Sequence, residues 1–131
     1  MEQIRISDSE WKIMKILWGC APGSMALGEI ISALGEDCDW SYTTVRTLIV
    51  RLEGKGAVNA DKTTGVYRYS AALDEKECIG EEVRSFISRV FDGSPSHLVA
   101  SLVRDGDISE KERAEILRLL GQIDGDGGVN K

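Results

Sequence analysis

Six side chains between residues 41 and 51 carry groups suited to reading a nucleic-acid surface: Ser41, Thr43, Thr44, Arg46, Thr47 and Arg51. Arginine bonds bidentately to guanine, hydroxyls serve either base edge, and the methyls of threonine and valine pack on thymine. Spacing decides whether such groups act together. At 100° per residue, Thr43, Thr47, Val50 and Gly54 share one helical face, flanked by Arg46 and Arg51, while Val45, Leu48, Ile49 and Leu52 form the opposite face. The plainer alternative makes Arg46 and Arg51 surface ion-pair partners of Glu53 or Asp39.

Charge tests the idea, because the 131-residue chain has a net charge of −6. The deficit is uneven. Residues 1–70 carry eight Lys/Arg against nine Asp/Glu, and residues 71–131 carry eight against thirteen. From Trp40 to Arg68 the sign reverses: Arg46, Arg51, Lys55, Lys62 and Arg68 face only Glu53 and Asp61. Screening confines a charge to roughly 8 Å at physiological salt, so a local basic surface suffices for phosphate.

Other chemistries find little support. There is no Ser/His/Asp set, no paired carboxylates in a pocket-forming context and no glycine-rich phosphate loop, so no enzyme is expected. Cys20, Cys38 and Cys78 have no CxxC spacing and only His97 to join them, so no metal and no cofactor is expected. They read as reduced thiols serving as small buried or half-buried hydrophobes, with redox sensing by Cys20 or Cys38 as the alternative. No apolar run approaches the ~20 residues of a membrane span, and the start lacks a signal-peptide pattern. A cytoplasmic protein with no membrane partner is expected.

The positioning elements follow from caps and periodicity. Ser7 with Glu10 forms a capping box for a helix to about Gly19, with Trp11, Met14, Leu17 and Trp18 inward. Ser24 is expected to cap a second helix carrying Leu27, Ile30, Ile31 and Leu34, ended by Gly35. Past the acidic linker Glu36 to Asp39, Ser41 caps the third, which runs to Lys55-Gly56. Ala57 to Ala60 and Val66 to Ser70 flank a turn at Asp61 to Gly65 and read as a hairpin. Placed after such a helix it is a wing, and Lys62 and Arg68 are expected to reach phosphate. Trp11, Trp18, Trp40, Tyr67 and Tyr69 read as packing residues.

From Ala71 onward the pattern is helical only. Asp74 and Glu77 open a stripe of Ile79, Val83, Phe86, Ile87 and Val90. Ser94-Pro95 introduces Leu98, Val99, Leu102 and Val103, and Ser109 with Glu112 introduces Ile116, Leu119, Leu120 and Ile123. Three short helices hold more apolar stripe than they can bury among themselves, so a second copy is the expected cover. The expectation is a mainly α chain: a winged helix-turn-helix of three helices plus a small β-hairpin over 1–72, a helical dimerisation region over 73–123, and a disordered tail over 124–131.

The stretch Asp39-Trp40-Ser41-Tyr42-Thr43-Thr44-Val45-Arg46-Thr47-Leu48-Ile49-Val50-Arg51-Leu52, then Lys55-Gly56-Ala57-Val58, resembles the penicillinase-repressor family (BlaI, MecI and CopY). Ile6 to Met14 with Leu17-Trp18 resembles its first helix, and Val66-Tyr67-Arg68-Tyr69 its second wing strand. The resemblance implies a homodimeric transcriptional repressor on a palindromic double-stranded operator. It also implies Ser41, Thr43, Thr44, Arg46, Thr47 and Arg51 as DNA contacts. Thr43 stands where the family often has lysine, a difference that bears on the target sequence. Copper-responsive members end in paired CxC cysteines, absent here. Members answering to β-lactams are cut by a sensor protease at an Asn-Phe bond, and the corresponding place is Ser101-Leu102, without either residue of that bond. Other readings are a winged-helix module for protein contact and a small-molecule-responsive regulator.

Overall fold

In a computed structural model, which describes residues 4–36, 38–106 and 108–126 (the last five by backbone alone), the capping box at Ser7 and Glu10 is formed. Ser7 N–H donates to Glu10 Oε1 at 2.8 Å and Glu10 N–H to Ser7 Oγ at 3.2 Å. They start α1, Asp8–Cys20. Ile13 is fully buried beside Met14 and Leu17, whereas Trp11 and Trp18 are half-buried at its margin.

The second helix departs from expectation at its start. Met25–Ala26 is a short strand, β1, and α2 spans Leu27–Leu34 with Ala26 as N-cap. Glu29 Oε1 accepts the Ala26 N–H at 2.8 Å, and Ser24 is not the cap. The cause is long-range: β1 pairs with a strand more than forty residues on, which holds residues 25 and 26 extended. Gly35 terminates α2 at φ 82°, a conformation only glycine adopts without strain.

Ser41 caps α3, Tyr42–Gly54, its Oγ accepting the Thr44 N–H at 3.2 Å. The chain leaves through Gly56 at φ 83° into β2, Val58–Asp61, and returns as β3, Arg68–Ala71. The sheet is antiparallel in the order β1-β3-β2, with Ala60 opposite Tyr69 on one side and Met25 opposite the same tyrosine on the other. Val45, Leu48, Ile49 and Leu52 of α3 meet Ile13, Met14 and Leu17 of α1, Ile30 of α2, and Ala57, Val58 and Tyr69 in one core. The molecule has mainly α architecture with a winged helix-turn-helix unit.

One ion pair lies at the edge of this core. Glu10 is 1% exposed, and Lys55, the C-cap of α3, places Nζ 2.6 Å from its Oε1 and 2.5 Å from the Arg5 carbonyl oxygen. Burial pushes the Glu10 carboxyl up, but hydrogen bonds from Lys55 and Ser7 outweigh it and hold the group below the ordinary value of 4.5. The pair joins the start of α1 to the end of α3.

The chain divides into compact units Met1–Gly80 and Glu81–Lys131. Trp18 Nε1 donates to the Leu73 carbonyl at 2.9 Å, and Leu73 packs on the first core. Three helices follow: α4, Glu75–Val90, with Asp74 Oδ2 accepting the Glu77 N–H; α5, Pro95–Arg104, capped by Ser94; and α6, Glu110–Asp126, with the Ser109–Glu112 box formed. Helix α6 continues past residue 123, and 127–131 lie outside the described residues. So does the Ile123 side chain. Among the described residues none in α4, α5 or α6 is fully buried: Val83, Phe86 and Val90 are exposed, as are Val103, Leu119 and Leu120, while Ile87, Leu98, Leu102 and Ile116 are half-covered.

Removing the lysine strands a buried carboxylate. Lys55→Ala is expected to lower unfolding free energy by about 3 kcal/mol and Glu10→Gln by less, measured by denaturant titration. Because Glu10 titrates lower in the folded protein, its contribution is fully present above pH 4.5 and is lost as pH falls through the lower folded value. Stability measured from pH 7 to 3 should therefore fall less steeply at the acid end in Glu10→Gln than in wild type.

Candidate nucleic-acid interface

The buried aliphatic face of α3 sets which residues face outward. Thr43, Arg46, Thr47, Val50, Arg51 and Gly54 are all exposed, as the helical spacing requires. Ser41 and Thr44 are exposed too, but their hydroxyls lie 3.1 Å apart while Ser41 Oγ caps the helix. Among the described residues, the Thr43 and Thr47 hydroxyls are left without such a partner.

The cations between Trp40 and Arg68 separate into two groups. Lys55 is held by Glu10 and Arg5. Lys62, on the wing turn, lies 3.2 Å from Glu53 Oε2 and 5.4 Å from the centre of the Tyr67 ring. Arg68, on β3, donates from Nε to Ser24 Oγ at 3.0 Å and from Nη2 to the Ser24 carbonyl at 2.8 Å and Glu29 Oε1 at 3.2 Å. Those donors tie β3 to β1 and the start of α2. Arg46 and Arg51 make no ion pair or hydrogen bond among the described residues, and Glu53, the acid that could have neutralised them, is taken by Lys62.

Two acids from outside the window, Glu10 and Glu29, thus close on its cations. The surplus positive charge of this segment is carried by the two arginines of α3. Sequence reasoning missed these pairings because they span 45 and 39 residues. Glu10 and Glu29 carried only a local signal, each as the third residue of its helix. The wing turn is organised by Asp61, which accepts from Thr63 N–H at 3.0 Å and its hydroxyl at 2.7 Å. These bonds hold the Asp61 carboxyl below its ordinary value. Burial raises the Tyr69 hydroxyl above its ordinary value of 10.0.

Elsewhere, Ser101 and Leu102 are half-buried within α5, and the Ser101 carbonyl accepts the Asp105 N–H at 3.0 Å. The peptide bond between them is part of a helix.

A family model described as penicillinase repressor matches residues 6–122. The chain belongs to the penicillinase-repressor family. The penicillinase repressor of Bacillus licheniformis is 31% identical over 116 residues, covering 88% of this chain and 89% of its own. The methicillin resistance regulatory protein MecI of Staphylococcus aureus is 32% identical over 117 residues, covering 89% and 94%. The solution structure of the DNA binding domain of the repressor BlaI matches 59% of this chain and 93% of its own, at 36% identity and a TM-score of 0.50. The winged-helix fold is thereby placed within the penicillinase-repressor family, a family of repressors rather than enzymes.

The two kinds of arginine should separate in a stability assay. Arg46→Ala and Arg51→Ala are expected to unfold within about 0.5 kcal/mol of wild type, since neither has a partner to lose. Arg68→Ala removes a charged hydrogen-bond donor from β1 and α2, and its urea midpoint should fall by the equivalent of about 1 kcal/mol.

Proposed function

We propose that this penicillinase-repressor family member is a homodimeric repressor that seats α3 of each copy in the major groove of a palindromic operator and blocks polymerase. The observation that carries the reading is the outer face of α3, where two unpaired guanidinium groups flank open threonine hydroxyls. Arg46 and Arg51 supply base or phosphate contacts, Thr43 and Thr47 serve base edges, and Ser41 and Thr44 order the helix start beside the backbone. Lys62 reaches phosphate by exchanging Glu53 for it. Arg68 acts indirectly, holding the wing strand in place.

The exposed apolar stripes on α4, α5 and α6 support the homodimer, in which their equivalents in a second copy cover them. Symmetric half-sites are then one or more helical turns apart. Release by a sensor protease at Ser101-Leu102 would require α5 to open first, because a protease binds its substrate extended. The protein-contact reading gains little support, as Val50 and Tyr42 are the apolar side chains exposed on α3.

Footprinting on the DNA upstream of this protein's own gene tests the proposal. Wild type should protect a symmetric site, and Arg46→Ala or Arg51→Ala should each weaken protection by about tenfold or more. Log affinity should fall with log salt at about −0.9 per phosphate contact. Protection of no symmetric site, or equal protection by both variants, would refute the assignment. Sedimentation should give twice the 14.4 kDa chain mass, and a monomer at micromolar concentration would refute the dimer.

A further inference from the structure

Most large apolar side chains exposed on the first unit lie in one region. Among its described residues they are Tyr42, Val50, Val66 and Tyr67, on α3 and the wing, with Ile79 on α4. Those of α1 and α2 are all buried or half-buried. Scattered single exposures are ordinary, but four of these five on α3 and the wing mark a contact surface.

Tyr42 is the most exposed of them at 61%. It is the first residue of α3 and lies four residues before Arg46 and eight before Val50, so the three form one row along the helix. The wing reaches α3 at its far end, where Lys62 lies 3.2 Å from Glu53 Oε2. The contrast with Tyr69 is informative. Tyr69 is 5% exposed and belongs to the core, whereas Tyr42 packs on no part of it. Its hydroxyl has no hydrogen-bond partner among the described residues, and capping is done by Ser41. Neither folding nor capping accounts for an aromatic ring there.

We infer that Tyr42 is a specificity-determining contact, its ring against a thymine C5-methyl in the major groove and its hydroxyl donating to a neighbouring phosphate oxygen. The inference rests on the repressor reading, in which the first residues of the recognition helix meet base edges. A ring at that position contributes apolar contact to a methyl that uracil lacks, and the adjacent Arg46 offers bidentate bonding to the next base pair. Tyr42 thereby supplies apolar readout to a surface otherwise composed of arginine and hydroxyl donors. It is also a residue that helical-face counting passes over, because at the first turn it sits between the inner and outer stripes.

The test uses the full-length protein and duplexes enriched by wild type from a random-sequence pool. Each thymine of a half-site is then replaced by deoxyuracil in turn. Tyr42→Ala should bind the enriched duplex about tenfold more weakly than wild type and an unrelated duplex only about threefold more weakly, the share due to the phosphate contact. One thymine-to-uracil change should weaken wild type and Tyr42→Phe but leave Tyr42→Ala unaffected. Tyr42→Phe should lose about threefold on every duplex alike, the signature of a phosphate contact. If Tyr42→Ala keeps wild-type affinity and the wild-type uracil profile while Arg46→Ala loses binding, this inference fails and the repressor reading stands. If wild type enriches no sequence, or Arg46→Ala binds like wild type, the repressor reading fails and takes this inference with it.

Discussion

Burial of Val45, Leu48, Ile49 and Leu52 permits α3 only one rotational setting. Each buried side chain contributes roughly 1.5–3 kcal/mol. Turning the helix by a single residue would carry Arg46 into the space Val45 fills and expose an aliphatic residue in exchange. Burying an unpaired guanidinium costs several kcal/mol, so that setting is closed. The outward face is a consequence of the inward one. Both ends are fixed as well, by the Ser41 cap and by Lys55 on Glu10. A helix held at its core face and at both ends presents its outer side chains with little backbone freedom, which is what discrimination between base pairs demands.

How much of this the sequence discloses depends on range. Caps and helical stripes are local: Ser7 with Glu10, Ser41, Ser94, and Ser109 with Glu112 all stand where a reading of three- and four-residue spacings puts them. The faces of α3 are equally legible. What escapes is pairing across the chain. Ser24 has the right identity for a cap, yet it binds Arg68, because β1 and β3 draw residues 24–26 into an extended path. Arg68 resembles a wing cation on composition alone, and only the fold brings Glu29 beside it. Glu10 has a cap role visible from Ser7, but its second role depends on Lys55, forty-five residues away.

These same long-range pairings explain how an acidic chain could bind a polyanion. Counting charges over a window treats all cations as equal, and here they are not. Lys55, Lys62 and Arg68 each face a carboxylate, so much of their field is cancelled at close range. Arg46 and Arg51 keep theirs. Most of the excess acid lies beyond residue 70. Within a screening length of α3, what a phosphate meets is set by unpaired groups and not by the net charge of −6. The Glu53–Lys62 pair adds selectivity on the proposed reading. It withholds a wing cation until a phosphate in the right place competes for it, so adventitious polyanions gain less than a correctly docked duplex.

On the proposed homodimer, the second unit makes stability and assembly one process. No described residue of α4, α5 or α6 is fully buried, so these helices lack a core of their own within one copy. A unit of this kind gains its apolar burial when a second copy arrives, and its folding then depends on protein concentration. On the repressor reading this couples occupancy steeply to abundance, because one copy carries a single α3 and two are needed to hold both half-sites. It also identifies where an inducing signal would act most economically. If α5 lies on a core shared by two copies, as the proposed homodimer requires, breaking or unwinding it near Ser101-Leu102 would remove burial from both copies at once. The DNA-contacting surface would be left intact on each monomer, yet the loss of the second half-site would release the operator.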